Sequence, residues 1–159
     1  MLDPYKSAVD IYFIDDYAHH PTEIFAYFKS LKKLYSNSYI FFIFQPHTFT
    51  RTHFLFEKFI DVFQNIKKDK KTTLIIFKTF SSAREKKDIL KIKNLKKDID
   101  LAKKVNSLFF DKEKKLIEFI ENNIKKIKFE KYNNKEQKQI IVTTVGAGNI
   151  YKMFEKIKL

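Results

Sequence analysis

The chain has 159 residues, one domain's length, with 44% hydrophobic residues, 16% aromatic residues and a formal net charge of +13. That much apolar material excludes a disordered chain, and a domain of this size buries roughly two-thirds of its unfolded surface. The absence of cysteine excludes a disulfide scaffold, a thiolate metal site and a cysteine nucleophile, and with only two glycines and three prolines each of those positions is informative.

Val9–Ile14 is short and rich in β-branched and aromatic residues, so it reads as a strand. The polar stretch Asp15–His20 follows as a turn. Pro21 suits the first position of a helix, where its missing N–H costs nothing. Ile24, Phe28 and Leu31 carry that helix to about Tyr35, and Ser36-Asn37-Ser38 ends it. Tyr39–Phe44 is apolar throughout, as expected of a strand covered on both faces. Gln45–Thr48 is the next turn, and a single helix is expected from Phe49 to about Ile66, with Phe56, Phe59, Ile60, Phe63 and Ile66 on one face. Lys67–Lys71 is a charged loop and Thr73–Phe77 a third strand. Ser81–Leu95 has no decisive pattern and is assigned no structure. Ile99–Val105 reads as a short helix and Leu108–Phe110 as a short strand. Asp111 to about Lys128 reads as an amphipathic helix buried through Leu116, Ile117, Ile120, Ile124 and Ile127. After a lysine-rich loop, Ile140–Val145 is the last strand and Asn149–Ile157 a closing helix.

This alternation predicts an α/β, Rossmann-like fold: a mostly parallel sheet of about five to six strands with helices on both faces. Ligands of such sheets lie outside the carboxyl ends of the strands. Three loops would meet there: Asp15–His20, Gln45–Arg51 and Gly146–Asn149. In the first, the carboxylates Asp15 and Asp16 can accept from a ribose, and His19 and His20 can donate to phosphate or bind a metal. The alternative is that Asp16 or His20 merely caps the following helix, with Glu23 completing its first turn. In the second, Arg51 opposes the dipole at a helix start, which points to a ligand; its guanidinium suits a carboxylate or phosphate, and His47 can donate to the same anion. The alternative there is a local pair with Glu57. In the third, Gly146 and Gly148 permit close backbone approach ahead of Asn149, and tight strand-to-helix packing fits them better than phosphate binding, since the loop is neither GxGxxG nor GxxxxGK(S/T). The chain contains no P-loop of its own.

The positive charge is almost all lysine spread along the chain, with Arg51 and Arg84 the only arginines. A nucleic-acid interface needs clustered phosphate contacts, so the lysines read as solvated surface and no specific nucleic-acid partner is expected. Met1–Lys6 has no apolar targeting core and no apolar run has membrane length; a cytoplasmic location without a membrane partner is expected. A small metal-dependent hydrolase built on Asp15, Asp16, His19, His20 and His47 is the competing enzymatic reading, although no HExxH-like spacing supports it.

Asp15-Asp16-Tyr17-Ala18-His19-His20-Pro21-Thr22-Glu23-Ile24 resembles the DDYxHHPTEI signature that opens the C-terminal domain of the Mur ligase family's L-alanine-adding branch. Phe44-Gln45-Pro46-His47-Thr48-Phe49-Thr50-Arg51-Thr52 is similar to that branch's FQPHxxxRT segment. Ser82-Ala83-Arg84-Glu85 stands where the branch has an SARE-type loop, and Val142–Ile150 resembles its terminal TxGAGDI, with Asn149 in place of the usual Asp. The branch often has Arg at Thr48 and Tyr at Phe49. The resemblance implies a three-domain ligase that uses ATP and Mg²⁺ to join L-alanine to UDP-N-acetylmuramate through an acyl phosphate. This chain would be a single domain, residues 1–159, corresponding to the closing C-terminal domain. The UDP-binding and central P-loop ATPase domains would be absent, no cofactor would be held tightly by this chain, and it would be inactive alone. By the same resemblance Asp16 would face the ATP ribose, with Tyr17, His19 and His20 on the nucleotide side. His47 and Arg51 would be catalytic, holding the alanine carboxylate and the anionic intermediate. No metal ligand is assigned.

Overall fold

The computed structural model describes residues 9–80, 88–132 and 139–159. Strands and helices alternate: β1 (Asp10–Asp16), α1 (Pro21–Leu34), β2 (Tyr39–Phe44), α2 (Phe49–Phe54), α3 (Phe56–Ile66), β3 (Thr72–Phe77), α4 (Asp88–Lys104), β4 (Leu108–Phe110), α5 (Glu113–Tyr132), β5 (Gln139–Val145) and a closing 3-10 helix, Ile150–Lys156. The strands form one five-stranded sheet in the order β1-β5-β2-β3-β4, and every pairing is parallel.

Connection handedness decides which face each helix covers. From β2 through β4 the chain steps across the sheet in one direction, then α5 carries it back to β5, between β1 and β2. Right-handed crossovers therefore place α1, α3 and α4 on one face and α5 on the other. The packing agrees. Ile24, Phe28, Phe59, Phe63 and Leu101 pack on Phe42, Phe44, Ile76 and Ile141. Leu116, Ile120, Ile124 and Met153 pack on Phe41, Ile43, Ile75 and Val142. Alternate residues of β2 feed opposite faces, which is why its sequence is apolar without interruption. The expected α/β sheet with helices on both faces is thus present, with five strands among the described residues.

Four boundaries differ from the sequence reading. β1 runs through Asp15 and Asp16, expected as turn, because they continue the ladder opposite Thr144 and Val145. The expected helix from Phe49 to Ile66 is two helices, broken at Leu55 (φ −104°, ψ 13°); the buried positions Thr52, Phe56, Phe59 and Phe63 keep helical spacing straight through that break and give no sign of it. α4 starts more than two turns before Ile99, because Asn94 and Asp98 occupy its buried stripe and hide the amphipathic pattern. The closing helix is a 3-10 helix. The SARE-like segment Ser82–Glu85 lies outside the described residues. No helix among the described residues is long and apolar enough to cross a membrane.

Candidate functional site

β5 leads to the closing helix on one face, whereas its neighbours β1 and β2 lead to α1 and α2 toward the other. Adjacent loops therefore diverge at the carboxyl ends of these strands, the place where doubly wound sheets hold ligands. Backbone bonds lace the loops together: Gly146 N–H donates to the Asp16 carbonyl (3.0 Å), Gln45 N–H to that of Val145 (2.9 Å), and Phe80 N–H to that of Pro46 (2.8 Å).

The first loop is tied down by hydrogen bonds, one of them to β5 and the rest local. Asp15 Oδ1 accepts from the Thr144 hydroxyl at 2.5 Å, and Asp16 Oδ1 accepts from Ala18 N–H at 2.9 Å. His20 is the N-cap of α1, its Nδ1 accepting from Thr22 N–H at 3.3 Å, so Nε2 is its outward edge. Glu23 Oε2 accepts from the N–H groups of His19 and His20, each at 3.1 Å, which closes a capping box. These two bonds, that of His19 foremost, hold the Glu23 carboxyl below the usual carboxylate range. His19 Nδ1 donates to the Tyr17 carbonyl at 3.0 Å, and its ring meets the exposed Tyr17 edge-on. Asp16, Tyr17, His19 and Glu23 line a hollow of about 500 Å³ floored by Tyr27. The Tyr27 hydroxyl bonds Thr143 Oγ1 at 2.7 Å, and burial pushes its pKa up to about 12, so it stays a neutral hydroxyl.

In the second loop Thr48 caps α2, accepting from Arg51 N–H at 3.4 Å. Arg51 is half-buried, and among the described residues no carboxylate pairs with it, Glu57 included. His47 stacks on Phe80, ring centroids 5.7 Å apart and planes 12° apart.

The third loop is a packing device built around Gln45, which the sequence reading did not single out. Gln45 is buried. Its Oε1 accepts from Asn149 N–H and Ile150 N–H, both at 3.0 Å, and its Nε2 donates to the Lys78 carbonyl at 3.4 Å. Gly146 lies at φ +130°, where a side chain is strained, and a Cβ there would strike the Gln45 carbonyl oxygen. A Cβ on Gly148 would strike Gln45 Oε1 and approach Phe80 Cβ to 3.1 Å. A glutamine directly after a wholly apolar strand was the available signal.

A second hollow, of about 610 Å³, opens among Gln45, Thr79, Phe80, Asn94, Asp98 and Asn149. Asp98 is fully buried; burial pushes its carboxyl up to about 7 against the opposing hydrogen bonds from Thr79. Neither Asp98 nor Asn94 was a sequence candidate, although both stand at helical spacing from the buried Leu101, Ala102 and Val105. The site is therefore two hollows on one sheet edge: Asp16, Tyr17 and His19 line the first and Asn149 the second, while His47 and Arg51 line neither. Among the described residues no three His, Asp or Glu side chains are grouped to hold a metal ion.

The family profile described as "Mur ligase, glutamate ligase domain" matches residues 4–128. A UDP-N-acetylmuramate–L-alanine ligase of Wigglesworthia glossinidia brevipalpis is 32% identical over 144 residues, which is 91% of this chain and 27% of that protein. The ligase of the same name from Vesicomyosocius okutanii is 29% identical over 150 residues, 94% of this chain and 28% of that protein. The chain thus spans little more than a quarter of the length of these curated relatives. Among solved structures, the UDP-N-acetylmuramate–alanine ligase of Thermotoga maritima superposes with a TM-score of 0.57 at 21% identity, over 99% of this chain and 27% of that one. A murein peptide ligase from Psychrobacter arcticus superposes with a TM-score of 0.56 at 18% identity, over 95% of this chain and 27% of that one. A single domain from a related Haemophilus ducreyi ligase gives a TM-score of 0.52 at 16% identity, over 94% of this chain and 92% of that one. At these identities the structural likenesses speak for the fold, and the profile match over most of the chain speaks for descent: this chain belongs to the Mur ligase, glutamate ligase domain family.

Proposed function

We propose that this chain is the closing C-terminal domain of an ATP-dependent ligase that joins L-alanine to UDP-N-acetylmuramate in peptidoglycan synthesis. The observation that carries the reading is the 32% identity to an L-alanine-adding ligase across 91% of the chain. Three of the motifs behind it, around Asp15–His20, Gln45–Arg51 and Gly146–Asn149, leave neighbouring parallel strands at one edge of the sheet, where backbone bonds join Gly146 to Asp16 and Gln45 to Val145.

In this reading the first hollow takes the nucleotide side of ATP. Asp16 spends Oδ1 on Ala18 N–H, and its second carboxylate oxygen suits a ribose hydroxyl. Tyr17 offers an exposed ring and His19 lines the same hollow, while His20, which caps α1 and does not line it, offers Nε2. Arg51 is a guanidinium without a carboxylate among the described residues, the chemistry expected of a group that captures an anionic substrate. Together with His47 it would hold the alanine carboxylate. ATP supplies the phosphoryl group that activates the muramate carboxylate. The triphosphate and Mg²⁺ would be held by the central P-loop domain of the complete ligase.

The test is a domain graft. The chain replaces the C-terminal domain of a UDP-N-acetylmuramate–L-alanine ligase, and alanine-dependent phosphate release is measured with ATP, Mg²⁺ and UDP-N-acetylmuramate. Turnover that prefers alanine to other amino acids is expected. A correctly folded chimera that is silent with alanine, or that prefers another amino acid, overturns the reading.

A further inference from the structure

Asp98 is a fully buried carboxylate on the inner face of α4. Leu101, Ala102 and Val105 continue the same stripe, so an apolar residue at 98 would pack there without desolvating a charge. Instead both carboxylate oxygens are spent on one residue. Oδ2 accepts from Thr79 N–H and Oδ1 from the Thr79 hydroxyl, each at 2.7 Å. β3 ends at Phe77; Lys78 N–H still bonds the Phe110 carbonyl, and the Thr79 N–H that follows is held by this side chain. The next residue is Phe80. Its N–H donates to the Pro46 carbonyl, its Cβ lies close to where a Cβ on Gly148 would stand, and its ring lies parallel to the His47 imidazole.

We propose that Asp98 is a positioning residue for His47: by clamping Thr79 it holds Phe80 against the imidazole and so fixes where that ring is presented on the sheet edge. The clamp stands on geometry alone. Its functional consequence rests on the ligase reading, in which His47 faces the alanine carboxylate.

The direct readout is the nuclear Overhauser effect between the Phe80 and His47 ring protons in the isotopically labelled chain. Asp98→Ala removes both acceptors and is expected to abolish it. Asp98→Asn is expected to keep it, because Oδ1 still accepts from Thr79 N–H while Nδ2–H donates to the Thr79 hydroxyl oxygen. Should Asp98→Ala fail to fold, Thr79→Val decides: it deletes one of the two bonds and is expected to weaken the effect and move the His47 ring resonances. An effect that persists in folded Asp98→Ala, or ring resonances unmoved in Thr79→Val, overturns the clamp. In the grafted ligase Asp98→Ala is expected to raise KM for alanine by about tenfold or more, as a displaced positioning group does. KM for ATP is expected to stay put and Asp98→Asn to restore the alanine value. Loss of the ring contact with an unchanged KM for alanine overturns the functional half alone. A wild-type graft without turnover defeats the ligase reading and leaves the clamp to be judged by the ring contact.

Discussion

At the scale of single residues, the buried Asp98 ties stability to pH. Its carboxyl titrates near 7 in the fold, against an ordinary value of 3.8 for the free side chain. Between those values the folded chain binds more protons at this group than the unfolded chain does, so its contribution favours folding at low pH and is lost as pH rises through about 7. The slope from one such group is at most roughly 1.4 kcal/mol per pH unit. Urea unfolding at pH 5 and pH 8 should therefore show a larger drop in stability for the wild type than for Asp98→Asn; equal drops would remove Asp98 as the source. Arg51 makes a different demand. If its guanidinium holds a substrate carboxylate, Arg51→Ala in the grafted ligase forfeits a charge-assisted hydrogen bond worth about 1.5–3 kcal/mol. That is roughly a tenfold to hundredfold loss in kcat/KM for alanine, and unchanged kinetics would refute the assignment.

At the scale of elements, apolar periodicity was a reliable guide wherever burial was purely apolar. α3 buries Phe56, Phe59, Ile60, Phe63 and Ile66 as its spacing predicts, and Phe63 stacks on Phe59 and meets the tilted ring of Phe44. Phe63→Ala should cost about 3–5 kcal/mol by urea unfolding. Phe54→Ala, at a side chain 78% exposed, should stay within about 0.5 kcal/mol. The reading weakened wherever a polar group took a buried position. Asp98 and Asn94 broke the stripe of α4 and hid its first turns, and Gln45 looked like an ordinary turn residue although it organises the Gly-Ala-Gly loop. The candidate residues were visible as residue types at strand ends. That Asp16, Tyr17 and His19 line one hollow and Asn149 another, while His47 and Arg51 line neither, depends on tertiary contacts that spacing does not encode; the His20 cap closed by Glu23 is local, and it is the alternative that the sequence of that loop offered.

At the scale of the molecule, the net charge of +13 is dispersed lysine, and the chemistry-bearing side chains sit on one sheet edge. Without a phosphate-cradling loop of its own, the purified chain should release no phosphate when given ATP, Mg²⁺, alanine and UDP-N-acetylmuramate together. Alanine-dependent turnover by the chain alone would contradict the closing-domain reading. The position of β5 has one more consequence. It is the last strand to be synthesised, yet it lies between β1 and β2 and is the strand on which β1 pairs. Until β5 has been made, β1 with its Asp15–His20 loop has no ladder to join, and the two halves of the sheet edge remain unconnected. Such long-range pairing is slow to nucleate. The site should therefore assemble only once β5 has been made, in one late step, and a nascent chain stopped at residue 138 should leave β1 open to proteases while the β2–β3 pair is already protected.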